Sequence, residues 1–184
     1  MCSLSVSLSL SLGGKSTQVP QFLLDHHPTA KICVTQPRRI AAISIADRIS
    51  VEQCCCAADD ASTADTTTMI GHQVRLYSTV TAQTQLVVCT PGVLLQQLRS
   101  SPTLAQYTHI VLDEVHERDK YQEFLLIVLR DILPLRPDLR LLLMSATLTS
   151  VGLTEYFASS STRLCKCRDA CFRYRNSIWK TFWP

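Results

Sequence analysis

At 184 residues the chain is long enough for one well-buried α/β domain and too short for two. Its 46% apolar content suits a globular protein, and no stretch approaches the roughly 18 to 20 unbroken apolar residues of a membrane span, so no membrane partner is expected. The net charge of +3 comes from the end of the chain: Arg163, Lys166, Arg168, Arg173, Arg175 and Lys180 stand against one acid, Asp169, which leaves 12 basic and 14 acidic residues before position 163 and no bulk-charge argument for nucleic-acid binding.

Residues 1–12 alternate Ser with apolar side chains, which reads as a strand, and lack the basic start and cleavage site of a secretory signal. Gly14-Lys15-Ser16-Thr17 has the form of the end of a phosphate-binding loop. Backbone N–H groups there cradle phosphate oxygens, the lysine reaches the β and γ phosphates, and the Ser16 hydroxyl ligates Mg²⁺. The general pattern, Gly-x-x-x-x-Gly-Lys-Ser, asks for glycine at position 9, where this chain has Ser9, and Leu10 and Leu12 put bulky side chains into a turn that favours glycine. Weak nucleotide binding is the expectation.

An apolar, β-rich run covers Lys31 to Thr35 and ends at Gln36-Pro37-Arg38-Arg39, where Pro37 fixes a turn at a strand end and directs side chains toward a cleft. Ile40, Ile43, Ile45 and Ile49 give the next segment a broad apolar helical face, with Arg48 and Glu52 on its exposed side. Residues 53–68 are polar and low in complexity and read as a surface loop. Three adjacent cysteines, Cys54 to Cys56, have the wrong spacing for a structural zinc site. Cys33 and Cys89 lie inside apolar runs and read as small buried hydrophobes, so a reduced cytoplasmic or nuclear setting is expected.

A second run, Gln85 to Cys89, precedes a helical pattern at Val93 to Leu98. A third, His109 to Leu112, ends in Asp113-Glu114-Val115-His116-Glu117-Arg118-Asp119. An apolar run that ends in adjacent carboxylates suggests a buried parallel strand delivering them to a sheet's carboxyl edge. There one carboxylate can hold Mg²⁺ through its water shell while its neighbour orients or deprotonates the attacking water. For Asp-Glu alone, the competing reading is a solvated acidic turn. Tyr121 to Leu133 has Phe124, Leu125, Val128 and Ile132 at helical spacing, and a fourth run, Arg140 to Met144, leads into Ser145-Ala146-Thr147. The alternation of strand and helix implies parallel βαβ units with right-handed crossovers.

Composition shifts at residue 159. Cys165, Cys167 and Cys171 are a weak zinc pattern with no histidine nearby. Phe172, Arg173, Tyr174, Arg175, Trp179, Lys180, Phe182 and Trp183 could stack on single-stranded bases. The reading preferred for 159–184 is an unstructured extension, since no fold signal flanks the shift.

Taken in order, these motifs resemble the first RecA-like lobe of a DEAH-box (DExH) RNA helicase, superfamily 2. Gly14 to Gln21 resembles the end of motif I, Thr35 to Arg39 with Ile40 to Ile43 and Ala46 to Arg48 resembles motif Ia, and Ile70 to Leu76 resembles the stretch before motif Ib. Cys89 to Leu95 is similar to motif Ib, with Pro91 where the family usually has Thr or Asn; Asp113 to Arg118 is similar to motif II and Ser145 to Thr147 to motif III. The Val115-to-Asp119 ending with Phe124 to Leu126 and Leu129 to Asp131 resembles the branch holding RNA helicase A and the YTH-domain-bearing helicase.

The resemblance implies an α/β fold, a RecA-like P-loop NTPase lobe with a mostly parallel sheet flanked by helices on both faces, over residues 13–158. It implies ATP and Mg²⁺ as cofactors and single-stranded RNA, held by its backbone, as partner. Position by position it implies that Gly13, Gly14, Lys15, Ser16 and Thr17 hold the nucleotide, that Ser16 and Asp113 hold Mg²⁺, and that Glu114 is the base or water-orienting group. His116 would couple to a second lobe, which these residues do not include. Thr35, Arg38, Arg39, Thr90 and Gly92 would lie on RNA, and Ser145 and Thr147 would link motif II to the RNA side. Arg48 matches the residue that stacks on adenine, against the plainer reading of a solvent-facing helix arginine. Two other functions stay open: a truncated product that binds nucleotide or RNA weakly without turnover, and a DNA-directed or remodelling ATPase of the same superfamily. The string Asp113 to His116 and the run Thr35 to Arg39 favour the RNA-directed branch.

Overall fold

The computed structural model describes residues 3–9, 14–56, 69–145, 153, 156–157 and 161–167. In chain order these form β1 (Ser3–Ser9), α1 (Lys15–His26), β2 (Ile32–Thr35), α2 (Arg39–Cys56), β3 (Ile70–Val74), β4 (Tyr77–Ser78), β5 (Leu86–Cys89), α3 (Pro91–Ser100), β6 (His109–Leu112), α4 (Lys120–Ile132), β7 (Arg140–Leu143) and β8 (Ser161–Cys167). The strands make one sheet in the order β4-β3-β5-β2-β6-β7-β1-β8. Every pairing is parallel except that of β3 with β4, a tight antiparallel hairpin at one edge.

The four apolar runs are the central strands because a parallel strand covered on both faces has no polar side to show. β2, β5 and β6 are buried at every residue. Alternate side chains leave in opposite directions and feed two cores. Cys33, Val87, Cys89, Ile110, Leu112, Leu141 and Leu143 pack with α3 and α4. Ile32, Val34, Leu86, Val88, Val111 and Leu142 pack with α1 and α2. Helices therefore flank both faces, as the fold class requires. Cys33 and Cys89 are free and buried, their sulfurs 3.5 Å apart across neighbouring strands, and they fill core volume as expected of small hydrophobes.

Two helical faces differ from the sequence reading. In α2 the buried stripe is Ala42, Ala46 and Ile49, while Ile40 is 80% exposed. Ile40 lies two residues, about 200° of helix rotation, away from Ala42, so it points away from the side on which Ala42, Ala46 and Ile49 pack against the sheet. In α4 the buried stripe is Leu125, Leu126, Leu129 and Ile132 with Gln122, and Phe124 is 61% exposed. Asp119 caps this helix by accepting the Tyr121 N–H at 3.0 Å. The surface loop expected from residue 53 starts later, because α2 continues to Cys56; residues 57–68 lie outside the described residues.

The tail also differs. Ser161–Cys167 pairs in parallel along the whole of β1, with Ser5 opposite Arg163. Without this strand, β1 would present a row of unpaired backbone donors and acceptors, and backbone pairing tolerates the irregular composition that suggested disorder. Residues 168–184 lie outside the described residues. Among the described residues no helix is long and apolar enough to cross a membrane.

At the opposite end of the sheet from the motifs, His109 opens β6. It is buried, stacks on His27 at 5.5 Å, and has Nδ1 2.8 Å from Thr108 Oγ1. Burial, helped by the nearby positive charges of His27 and Arg140, pushes its pKa down from 6.5 to about 4. A folded-state pKa below the unfolded one means that the neutral ring stabilises the fold above pH 6.5 and that this contribution is lost as pH falls toward 4. At about 1.4 kcal/mol per pKa unit, about 3 kcal/mol is at stake. We expect the unfolding free-energy difference between wild type and His109→Gln to shrink by about that amount between pH 7 and pH 4 in urea titrations. A difference that does not change with pH would mean that His109 is not held neutral.

Candidate active site

Four strands release their chains toward the same carboxyl edge. Thr35 ends β2, Thr90 follows β5, Asp113 follows β6 and Ser145 lies two residues beyond β7. The ladder runs on past the strand ends: Asp113 N donates to Thr35 O at 3.2 Å, Gln36 N to Cys89 O at 2.8 Å, Met144 N to Leu112 O at 2.8 Å and Val115 N to Met144 O at 3.0 Å. The motif residues therefore leave from a fixed backbone rather than from loose loops.

Asp113 is the centre of this edge and is only 2% exposed. Gln36 Nε2 donates to its Oδ2, the Glu114 N–H donates to its Oδ1 at 2.8 Å, and the Ser16 hydroxyl bonds the same carboxylate. Gln122 Nε2 holds the Asp113 carbonyl at 2.6 Å, while its own Oε1 is buried without a hydrogen-bond partner. Burial pushes the Asp113 carboxyl above its ordinary range, against the pull of these hydrogen bonds and of the Lys15 charge.

Glu114 adopts the left-handed conformation with φ 54, as does Arg118 with φ 50, and the short 3-10 turn Val115–Glu117 lies between them. A glutamate held at positive φ is a strained backbone position beside the buried Asp113. The carboxylate is part exposed, and its Oε2 lies 3.2 Å from His116 Nδ1. Burial and the neighbouring Asp113 charge push its pKa up, so it binds a proton more readily than an ordinary glutamate.

Gly14 caps the amino end of α1 with φ 95, a conformation strained for any residue with a Cβ, and Thr17 Oγ1 donates back to the Gly14 carbonyl at 3.2 Å. Lys15, only 9% exposed, donates through Nζ to the Ser145 carbonyl at 3.3 Å. The start of a helix, a buried ammonium and a buried carboxylate thus share one edge, an arrangement suited to phosphate with a hard divalent cation. Oxygen donors from Asp113 and Ser16 fit Mg²⁺, and a carboxylate whose charge is penalised by burial is one that a cation stabilises.

The structure brings together Lys15, Ser16, Asp113, Glu114, His116 and Ser145. Arg38 and Arg39 project from the same edge and are exposed; Arg38 pairs with Glu117 at 3.1 Å and Arg39 donates to the Arg75 carbonyl at 3.3 Å. Thr90 precedes α3, with Pro91 pre-set for the first helical position, and Gly92 has open space where a Cβ would be. Thr35 differs from expectation. It is fully buried between β5 and β6, its hydroxyl without a hydrogen-bond partner, so its side chain offers no surface to a polymer. Arg48 is exposed on α2 and pairs with Glu52 at 2.7 Å. Gly13 and Thr147 lie outside the described residues.

Gln36, Gln122, Glu117 and Glu52 are the residues that motif reading passes over. Three of them had a signal: Gln36 sits inside the run Thr35 to Arg39, Glu117 inside the string Asp113 to Asp119, and Glu52 one helical turn after Arg48. A glutamine in helix α4 carries no sign in sequence that it grips a carbonyl nine positions earlier.

A parallel sheet with a glycine-capped helix start, a buried lysine and paired carboxylates at its carboxyl edge defines the class: a nucleoside-triphosphate-binding lobe of the P-loop kind. A family model described as DEAD/DEAH box helicase matches residues 13–154, and the chain belongs to this family. It is 46% identical over 155 residues to the DExH-box ATP-dependent RNA helicase DExH1 of Arabidopsis thaliana, covering 81% of this chain and 15% of that protein. It is 45% identical over 152 residues to DExH-box ATP-dependent RNA helicase DExH6 of the same plant, covering 78% of this chain and 11% of that protein. With the ATP-dependent DNA/RNA helicase DHX36 of Homo sapiens it shares 42% over 153 residues, 79% of this chain and 14% of that protein. The chain thus spans only a small part of the length of these relatives.

Proposed function

We propose that this chain is the ATP-binding lobe of an ATP-dependent RNA helicase. The observation that carries the reading is the meeting of Lys15, Ser16, Asp113 and Ser145 at one sheet edge, with Arg38 and Arg39 leaving that edge beside them. Lys15 and the N–H groups at the start of α1 would take the β and γ phosphates. Ser16 and Asp113 would hold Mg²⁺, which supplies charge neutralisation on the phosphates. Glu114 would orient and deprotonate water, with His116 against its carboxylate. Arg38, Arg39 and the Thr90–Gly92 turn would meet the sugar-phosphate backbone, a contact that is independent of sequence. Thr35 serves from below, by fixing Asp113 through its carbonyl.

Serine at position 9, where the loop pattern has glycine, favours a second form of the same reading: a lobe that binds nucleotide weakly. Calorimetric titration with Mg·ATP, with and without single-stranded RNA, separates the outcomes. We expect dissociation constants weaker than micromolar, less than about 8 kcal/mol of binding free energy, and a strict need for Mg²⁺. Binding that is indifferent to Mg²⁺ would put the nucleotide elsewhere, and submicromolar affinity would show that the altered loop is no handicap.

A further inference from the structure

We propose that Glu52 is a positioning residue for the nucleotide base: it fixes the Arg48 guanidinium and ties it to the helix that carries the phosphate-binding residues. This rests on the reading that a nucleotide lies at the Lys15 edge with its base against Arg48.

Glu52 sits one turn after Arg48 on α2, with its side chain 28% exposed, and its two oxygens divide their work. Oε1 accepts Arg48 Nε at 2.7 Å. Oε2 accepts Gln21 Nε2 at 2.6 Å and Gln18 Nε2 at 3.2 Å, both from α1. Gln53 Nε2 then donates to Gln21 Oε1 at 3.3 Å, so the α1 amides are anchored twice to α2. Gln18 lies one turn beyond Gly14, and its backbone N–H bonds the Gly14 carbonyl at 2.7 Å. A single carboxylate therefore connects the start of α1, where Lys15, Ser16 and Thr17 stand, to Arg48.

The chemistry of this connection is preorganisation. Arg48 is 66% exposed, and a free arginine on a surface samples many rotamers that a stacked base would have to freeze. Glu52 takes only Nε, which leaves the guanidinium face and its terminal nitrogens open to a planar ligand. Burial works against the charge on Glu52, yet the hydrogen bonds from Gln21, Arg48 and Gln18 outweigh it and hold the carboxyl below the ordinary Glu range, so the clamp is ionised at neutral pH. An exposed i,i+4 pair alone would be worth little. What sets this one apart is its second attachment to α1, which fixes the distance between base and phosphate positions.

The test separates base from phosphate by titrating Mg·ATP and Mg·tripolyphosphate into wild type, Glu52→Ala, Glu52→Gln, Arg48→Ala and the Arg48→Ala/Glu52→Ala double variant, with a melting curve for each. Glu52→Ala is expected to weaken ATP about tenfold and to leave tripolyphosphate within about twofold. In the Arg48→Ala background it should cost nothing further. Glu52→Gln keeps length and an acceptor for Gln21, so it guards against a folding defect and should show the same split at smaller size. Equal losses for both ligands, or additive losses in the double variant, would make Glu52 a mere link between helices and overturn the proposal. An Arg48→Ala variant that binds ATP as wild type does would overturn it too. A wild type that binds neither ligand would instead remove the reading of the site itself, and the proposal with it.

Discussion

Lys15→Ala is expected to weaken Mg·ATP binding by about 10- to 100-fold, the range of a lost hydrogen bond to a charged group. Lys15 is not a surface lysine that happens to be near. Its stem is buried, and its ammonium is aimed by the Ser145 carbonyl into the edge where Asp113 lies. A buried ammonium meets phosphate without the entropy cost of ordering a free side chain. Lys15→Arg should fail almost as badly, because a larger planar guanidinium does not replace a compact ammonium held at the Ser145 carbonyl. Melting temperatures should move little, since the residue's role is toward ligand rather than core. Calorimetry on the three proteins checks this, and an alanine variant that binds as wild type does would place the nucleotide away from α1.

Asp113→Asn should do two opposite things. Mg²⁺-dependent nucleotide binding should be lost, because a neutral amide is a poor ligand for a hard cation. The free fold should gain about 0.5 to 2 kcal/mol at neutral pH, the size common for a single stabilising substitution. The direction follows from its raised pKa. Its protonated form stabilises the fold below the unfolded value of 3.8, and that contribution is lost as pH rises through the raised folded value, so at neutral pH the carboxylate is a net cost. The amide still accepts from the Glu114 N–H, and Gln36 can turn its own oxygen toward it. Thermal melts with and without Mg²⁺ read both effects. A less stable variant would mean that the surrounding donors more than offset burial.

Much of this was legible in the chain because the sheet is parallel and buried. Lys31 to Thr35, Gln85 to Cys89, His109 to Leu112 and Arg140 to Met144 stand out as apolar runs, and each is a central strand to within a residue. The motif residues at their ends could be placed on one edge for the same reason. Ile70–Val74 is a strand too, but His72 and Gln73 break its apolar run, and it reads as a motif before it reads as β structure. Helix faces were less legible. Isoleucines outweigh alanines in any hydrophobic pattern, yet Ala42 and Ala46 share the buried stripe with Ile49 while Ile40 faces solvent. Polar partners were least legible: the grip of Gln36 and Gln122 on Asp113, and of Gln18 and Gln21 on Glu52, depends on side chains that meet only after folding. Thr35 shows the reverse case, a motif residue expected to lie on RNA whose side chain the sheet encloses.

The place of β1 in the sheet has a consequence for the order in which the molecule matures. β1, the earliest of these strands in the sequence, pairs with the two latest of them: Ser5 with Leu142 on one side, and with Arg163 on the other. Until β7 has been made, the segment that leads into Lys15 has no backbone to pair with, and such distant pairings form slowly. β2, β3, β5 and β6, whose partners are one another, can assemble while the chain is still growing. A nascent chain that stops short of Arg140 would hold much of the hydrophobic core and Asp113 but no seat for β1. The edge that carries Lys15 is thus completed only after Leu142 and Leu143 have been made.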